Sequence, residues 1–113
     1  EISPSSFAEI LHLVQPKQGE TFVDLGSGTG KAVIVAASLF PFSEAIGIEF
    51  VEPLHKAATR LHENLCKQVT QNKSTFATPQ IGKIRFYLDD AMEFDWWTKG
   101  DVVFAANTCW TDE

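Results

Sequence analysis

The residues suited by type and spacing to chemistry are acids and glycines. Asp24 is followed within six positions by Gly26, Ser27, Gly28 and Gly30, and further acids stand at Glu49, Asp89 and Asp90. A glycine turn between a strand and a helix offers backbone amides to a nucleotide-type ligand. Carboxylates at neighbouring strand ends accept hydrogen bonds from hydroxyl and amino groups and attract cations. Such a set binds and orients a ligand.

Three ligand classes use such a turn, and the acids separate them. A phosphate-binding loop of the form G-x-x-x-x-G-K-[ST] is excluded twice: with Gly30-Lys31 as its G-K pair, the first glycine would be Leu25 and the hydroxyl residue would be Ala32. The dinucleotide form G-x-G-x-x-G comes closer, but here the third glycine arrives one residue early, at Gly30. Asp24 also counts against it, because a carboxylate at the strand tip would repel a pyrophosphate seated at the helix N-terminus. S-adenosylmethionine has no phosphate and carries a sulfonium and an α-ammonium, so the same Asp24 attracts it. Glu49, about 20 residues beyond the glycines, is placed to accept both ribose hydroxyls. Asp90 is placed to accept the adenine amino group, with Asp89 sharing or taking that role. Each acid alone fits a solvated strand end; together with the glycine turn they point to this cofactor.

These residues need strands and helices to position them. Thr21–Leu25 is a β-branched and apolar run that predicts the first strand, and Lys31–Leu39 predicts a buried helix stopped by Pro41. Ahead of them, Ser3-Pro4 caps a helix with Phe7, Ile10, Leu11 and Val14 on its apolar stripe, ended by Pro16. Ala45–Glu49 predicts a second strand buried on both faces. Glu52-Pro53 starts a helix with Leu54, Ala57, Ala58, Leu61 and Leu65 on one stripe, and Gln68–Gly82 reads as a polar loop. Lys83–Leu88 predicts a third strand, Ala91–Trp97 a short amphipathic piece, and Asp101–Ala106 a fourth strand. The alternation implies an α/β doubly wound, Rossmann-like parallel sheet in the order 3-2-1-4, with ligands at the switch point beside the first strand. Further strands would complete such a sheet, so residues 1–113 are expected to be the cofactor-binding half of a larger catalytic domain, and the chain, which does not begin with Met, to be a piece.

Composition bounds the rest. The 113 residues are 44% hydrophobic and 21% charged, the profile of one globular domain. A net charge of −6 with no clustered basic face argues against direct nucleic-acid binding. Cys66 and Cys109 have no metal-ligand spacing, so no metal site is expected, and reduced thiols in a nuclear or cytoplasmic protein are. No apolar run reaches the roughly 18 residues of a membrane span. His12, His55 and His62 read as surface residues, and of the adjacent Trp96 and Trp97 only one can point into a core. Lys31 opens a helix, where a cation is unfavourable, and no role follows for it.

With Asp24-Leu-Gly-Ser-Gly-Thr-Gly30 and Glu49 in place, the chain resembles the class I S-adenosylmethionine-dependent methyltransferases over essentially its whole length. More narrowly, Glu1-Ile-Ser-Pro4, Phe22-Val-Asp-Leu-Gly-Ser-Gly28, Gly47-Ile-Glu49 and Val102–Trp110 resemble the disruptor-of-telomeric-silencing (Dot-one) family of non-SET histone-lysine methyltransferases. The resemblance implies a cofactor-closing loop whose glutamate matches Glu1, its tyrosine and glycine preceding residue 1. It also implies a fourth strand ending in Asn-Asn-Phe with an aromatic two residues on. This chain has Ala106-Asn107-Thr108 and then Trp110, keeping one asparagine and the later aromatic. Asn107 is therefore expected at the cofactor and substrate, and Trp110 along an apolar channel that disfavours a charged lysine; Phe104 is a further candidate for that wall, but its place inside a strand favours the core. The implied partner is a protein substrate, histone or nucleosome. Two other readings stand beside it: methylation of a non-histone protein or small molecule, and a cofactor-binding module without transferase activity, to which the missing asparagine points.

Overall fold

The structure, a computed structural model, describes residues 3–71 and 83–105. Helix α1 (Pro4–Val14) starts where expected, with the Ser3 hydroxyl accepting from the Ser6 amide at 3.3 Å and proline in the first turn. It stops at Val14 because Gln15 precedes Pro16, and proline disfavours the helical conformation in the residue before it. Gln15 takes the left-handed region instead (φ 55°) and its amide closes on the Leu11 carbonyl. Only Phe7 and Leu11 are buried on α1, whereas Ile10 and Val14, expected on the same stripe, are exposed.

Strand β1 (Thr21–Leu25) and helix α2 (Lys31–Leu39) have the expected bounds. Strand β2 (Glu44–Glu49) begins one residue earlier than predicted. Helix α3 (Glu52–Gln71) runs past Leu65, so Gln68–Gln71 is helical rather than loop; the remainder of the predicted loop lies outside the described residues. Of its predicted stripe, Ala58 is fully buried and Leu54 is exposed. Strand β3 (Lys83–Leu88) follows, and the amphipathic piece is a turn leading into the one-turn helix α4 (Trp96–Lys99). Strand β4 (Val102–Ala105) is shorter than predicted at its start; Ala106 lies outside the described residues.

The sheet is parallel throughout, in the order β3-β2-β1-β4. Its register places Asp24 beside Gly47 on one side and Phe104 on the other. Side chains alternate between faces. Phe22, Ala45 and Ile84 pack on one face with Phe7 and Leu11 of α1 and Val33, Ala36 and Ala37 of α2. Val23, Leu25, Ile46 and Ile48 form the core of the other face, covered by Tyr87, Ala91, Phe94 and Trp96. Trp96 is held there by its indole N–H, which donates to the Ala91 carbonyl at 3.0 Å, while Trp97 is 58% exposed. Phe104 sits edge-on to Phe7 at 4.9 Å between centroids and packs with the α1 core, as its place inside a strand favours. His12 is exposed as expected, but His55 and His62 are half-buried, with the His62 ring edge-on to Phe86 at 6.0 Å. Among the described residues no helix is long and apolar enough to cross a membrane, and no cluster of His, Cys, Asp and Glu could hold a metal ion.

Candidate cofactor site

The glycine turn is a bonded structure fixed to the neighbouring strand. The amides of Gly26 and Ser27 both donate to the Ile48 carbonyl, at 2.8 and 3.0 Å, and the Gly30 amide closes the turn on the Ser27 carbonyl at 2.9 Å. Gly26, Gly28 and Gly30 all have positive φ, a region most side chains avoid. At Gly30 space adds a second demand: a Cβ there would lie 2.7 Å from the Phe86 ring and 3.0 Å from the Ala58 methyl. Gly47 is under the same pressure, since its Cβ would meet Phe86 and Ser27 at 2.8 Å each. Phe86 of β3 thus fills the notch between the end of the turn and β2, and only glycine at 30 and 47 leaves room for it.

Glu49 is tied to the same turn. Its Oε1 accepts from the Gly28 amide at 2.7 Å and its Oε2 from the Val51 amide at 2.9 Å, while its carbonyl accepts from the Asp89 amide at 3.0 Å. The side chain, 7% exposed, therefore has a structural duty beyond the expected ribose contact. Each carboxylate oxygen keeps a further lone pair for a ligand hydroxyl.

Asp24 and Ser27 lie beneath the turn. They are 3% and 7% exposed, and Asp24 Oδ1 and Ser27 Oγ have no hydrogen-bond partner among the described residues. A buried polar atom without a partner is costly, and native chains retain few of them. Burial, and after it the charge of Glu49, push the Asp24 carboxyl up to about 7. A cation arriving at Asp24 would relieve both causes.

Beside the turn, a pocket of about 400 Å³ opens at the carboxyl ends of β2 and β3, lined by Gly26, Ile48, Glu49, Phe50, Val51, Asp89, Asp90, Ala91 and Met92. Two of its walls are apolar side chains left in solvent, Phe50 at 73% and Met92 at 76% exposure. Asp89 Oδ1 accepts from the Asp90 amide at 2.7 Å and Asp90 Oδ1 from the Met92 amide at 2.8 Å, so both acids also shape the loop they line. The structure thus brings Gly26, Glu49, Asp89 and Asp90 around one pocket, with Gly28 bonded to Glu49 and Gly30 capping α2. Asp24 and Ser27 are not among the pocket's lining residues. Glu1, Asn107 and Trp110 lie outside the described residues. The apolar walls and the Phe86 plug were missed from sequence. The signal available for the first was the pair Phe50-Val51 directly after the strand-end acid; for the plug there was none, because it depends on strand register.

Against known proteins, the family model described as "Histone methylation protein DOT1" matches residues 1–113. Among curated proteins none matches significantly. The fold is shared with an RNA methyltransferase from Salinibacter ruber in complex with S-adenosyl-L-homocysteine (24% identity, TM-score 0.72, 93% of this chain and 59% of that one). It is shared too with a SAM-dependent methyltransferase from Geobacter sulfurreducens, also in complex with S-adenosyl-L-homocysteine (20%, TM-score 0.70, 96% and 38%). A protein-L-isoaspartate O-methyltransferase is similar as well (19%, TM-score 0.69, 93% and 29%). This chain spans 59% or less of each of these three structures.

Proposed function

The chain belongs to the histone methylation protein DOT1 family, and on that premise we propose that it binds S-adenosylmethionine at the strand ends described above and serves transfer of the methyl group to a lysine of a protein, a histone first of all. The observation that carries the cofactor assignment is the buried Asp24, whose Oδ1 lacks a hydrogen-bond partner among the described residues, at the foot of a glycine turn that leads into a helix. An anionic, phosphate-bearing ligand would meet a carboxylate there, whereas a sulfonium compound brings the missing positive charge. When bound, the cofactor supplies an activated methyl group on its positively charged sulfur.

The chain's own residues hold and orient. Asp24 and Ser27 hold the charged aminoacyl half, and the amides of the glycine turn define its edge. Glu49 accepts the ribose hydroxyls through its free lone pairs. Asp90 and Asp89 accept from the adenine amino group, while Phe50 and Met92 cover the ring faces and exclude water. Asn107 and Trp110 are assigned to the acceptor side, where a polar group orients the amine and an aromatic wall favours the uncharged lysine. Glu1 belongs to the segment that closes over the cofactor. This division places the protein substrate beyond β4, with no direct nucleic-acid contact required of the acidic segment and no membrane involved, and it suits a nuclear or cytoplasmic protein.

A second reading rests on a specific feature: Ala106-Asn107-Thr108 in place of a paired asparagine favours a cofactor-binding module, or a transferase acting on a non-histone protein or a small molecule. Tritiated methyl transfer to nucleosomes, free histones and a cell lysate tests them together. Labelled histone within nucleosomes is the expected result. Label only on lysate proteins or small molecules would redirect the acceptor, and cofactor binding with no labelled product would establish the module.

A further inference from the structure

The two buried carboxylates are provided for unequally. Asp24 lies one residue from the end of β1 and Glu49 ends the paired strand β2, and both are almost fully buried. Glu49 receives two backbone amides, from Gly28 and Val51. Among the described residues Asp24 Oδ1 receives no donor, although it lies in the field of Glu49. Hydrogen bonds to the ionised form stabilise one charge in this pair, and the second must go into a desolvated place next to the first. The ligand-free site is thus built for one negative charge and one proton.

We propose that cofactor binding at this site is a proton-releasing event: the O–H bond of Asp24 breaks, the proton passes to solvent, and the positive half of S-adenosylmethionine takes its place, so that affinity for the cofactor rises with pH while affinity for the bare adenosine half does not. The inference rests on the cofactor assignment above and adds how the site reads ligand charge. Among the described residues, no other ionisable group supplies that charge. Val102–Ala105 of β4 carry none, and α2 opens with Lys31, which is exposed. In the next layer, α3 opens with Glu52, His55 and Lys56, of which Glu52 and Lys56 pair at 2.9 Å, and β3 leads into the acids Asp89 and Asp90. Burial and the Glu49 charge raise the Asp24 carboxyl to about 7, which puts the effect in an accessible range.

The test is calorimetric titration of the chain with S-adenosylmethionine at one pH in two buffers of different ionisation enthalpy, repeated across the range from about pH 5.5 to about pH 7. The comparator is 5′-methylthioadenosine, which keeps the adenosine half and has neither positive centre. Near pH 6 the expected release is about 0.9 proton per S-adenosylmethionine, with affinity about fivefold weaker than near pH 7. The comparator should release none and bind with pH-independent affinity. Asp24→Asn should bind S-adenosylmethionine more weakly and without the pH slope. Binding with no proton release and flat affinity in the wild-type chain would overturn the proposal and leave the cofactor assignment standing. Failure of S-adenosylmethionine to bind at any pH would overturn both.

Discussion

With the cofactor role proposed for it, Asp24 sets function against stability. Its carboxyl ionises near 3.8 when the chain is unfolded and at about 7 when it is folded, because burial and Glu49 disfavour the charge. Between those values the folded state holds the extra proton, so stability falls as pH rises through this window and the whole penalty is present above about 7. A shift of this size corresponds to at most about 4 kcal/mol. Asp24→Asn removes the penalty but still buries a polar amide. It should therefore raise the stability of the ligand-free chain near pH 8 by about 1–2 kcal/mol, with little gain near pH 4, while weakening S-adenosylmethionine binding. Urea unfolding at both pH values, with calorimetry of the cofactor, checks this; a variant less stable than wild type near pH 8 would contradict it. Glu49 behaves in the opposite way. Glu49→Ala removes the acceptor of two backbone amides, so it should lose both cofactor binding and about 1–3 kcal/mol of stability in the same urea experiment.

At the scale of elements, the turn, β2 and β3 are fitted around Phe86. Its ring stands where a Cβ at either Gly30 or Gly47 would be. Gly47 has no positive φ, so its requirement is for space alone, and Gly47→Ala should cost about 1–3 kcal/mol through overpacking. Adding Phe86→Leu should recover part of that loss, and a double-mutant cycle read by thermal unfolding measures the coupling. Gly30→Ala should not be rescued, because its φ of 86° remains strained for any side chain. Much at this level was legible in the sequence. The bounds of β1, α2 and β3 follow from β-branched runs, glycine and proline, which act locally. The stripe of α1 was over-read: Ile10 and Val14 have helical spacing but face solvent, because which side of a helix meets its neighbour is set by packing. Phe104 was legible as a core residue from its place inside a strand, whereas its partner Phe7 was not. The helical Gln68–Gln71 was hidden because polar residues carry no periodic signal.

At the scale of the whole chain, the parallel strands β1, β2 and β3 bring Asp24, Glu49, Asp89 and Asp90 from positions far apart in sequence to one end of the sheet. That grouping was legible because each acid lies within two residues of a strand's carboxyl end, and parallel strands in a doubly wound sheet put such ends together. Its apolar walls were not, since Phe50 and Met92 become lining residues only when β2 and β3 lie side by side. The packing of α1 anchors this arrangement through Phe7, which meets both Phe22 of β1 and Phe104 of β4. Phe7→Leu should cost about 1–3 kcal/mol in urea unfolding, because the shorter side chain leaves a cavity between α1 and the sheet. On the proposed assignment, the buried acid at the foot of the glycine turn selects a sulfonium cofactor over a pyrophosphate one. Side-by-side calorimetry with S-adenosylmethionine and NAD measures it most directly. Saturable one-to-one binding of S-adenosylmethionine with no heat from NAD is the predicted result, and an NAD complex formed in the absence of any S-adenosylmethionine binding would contradict it.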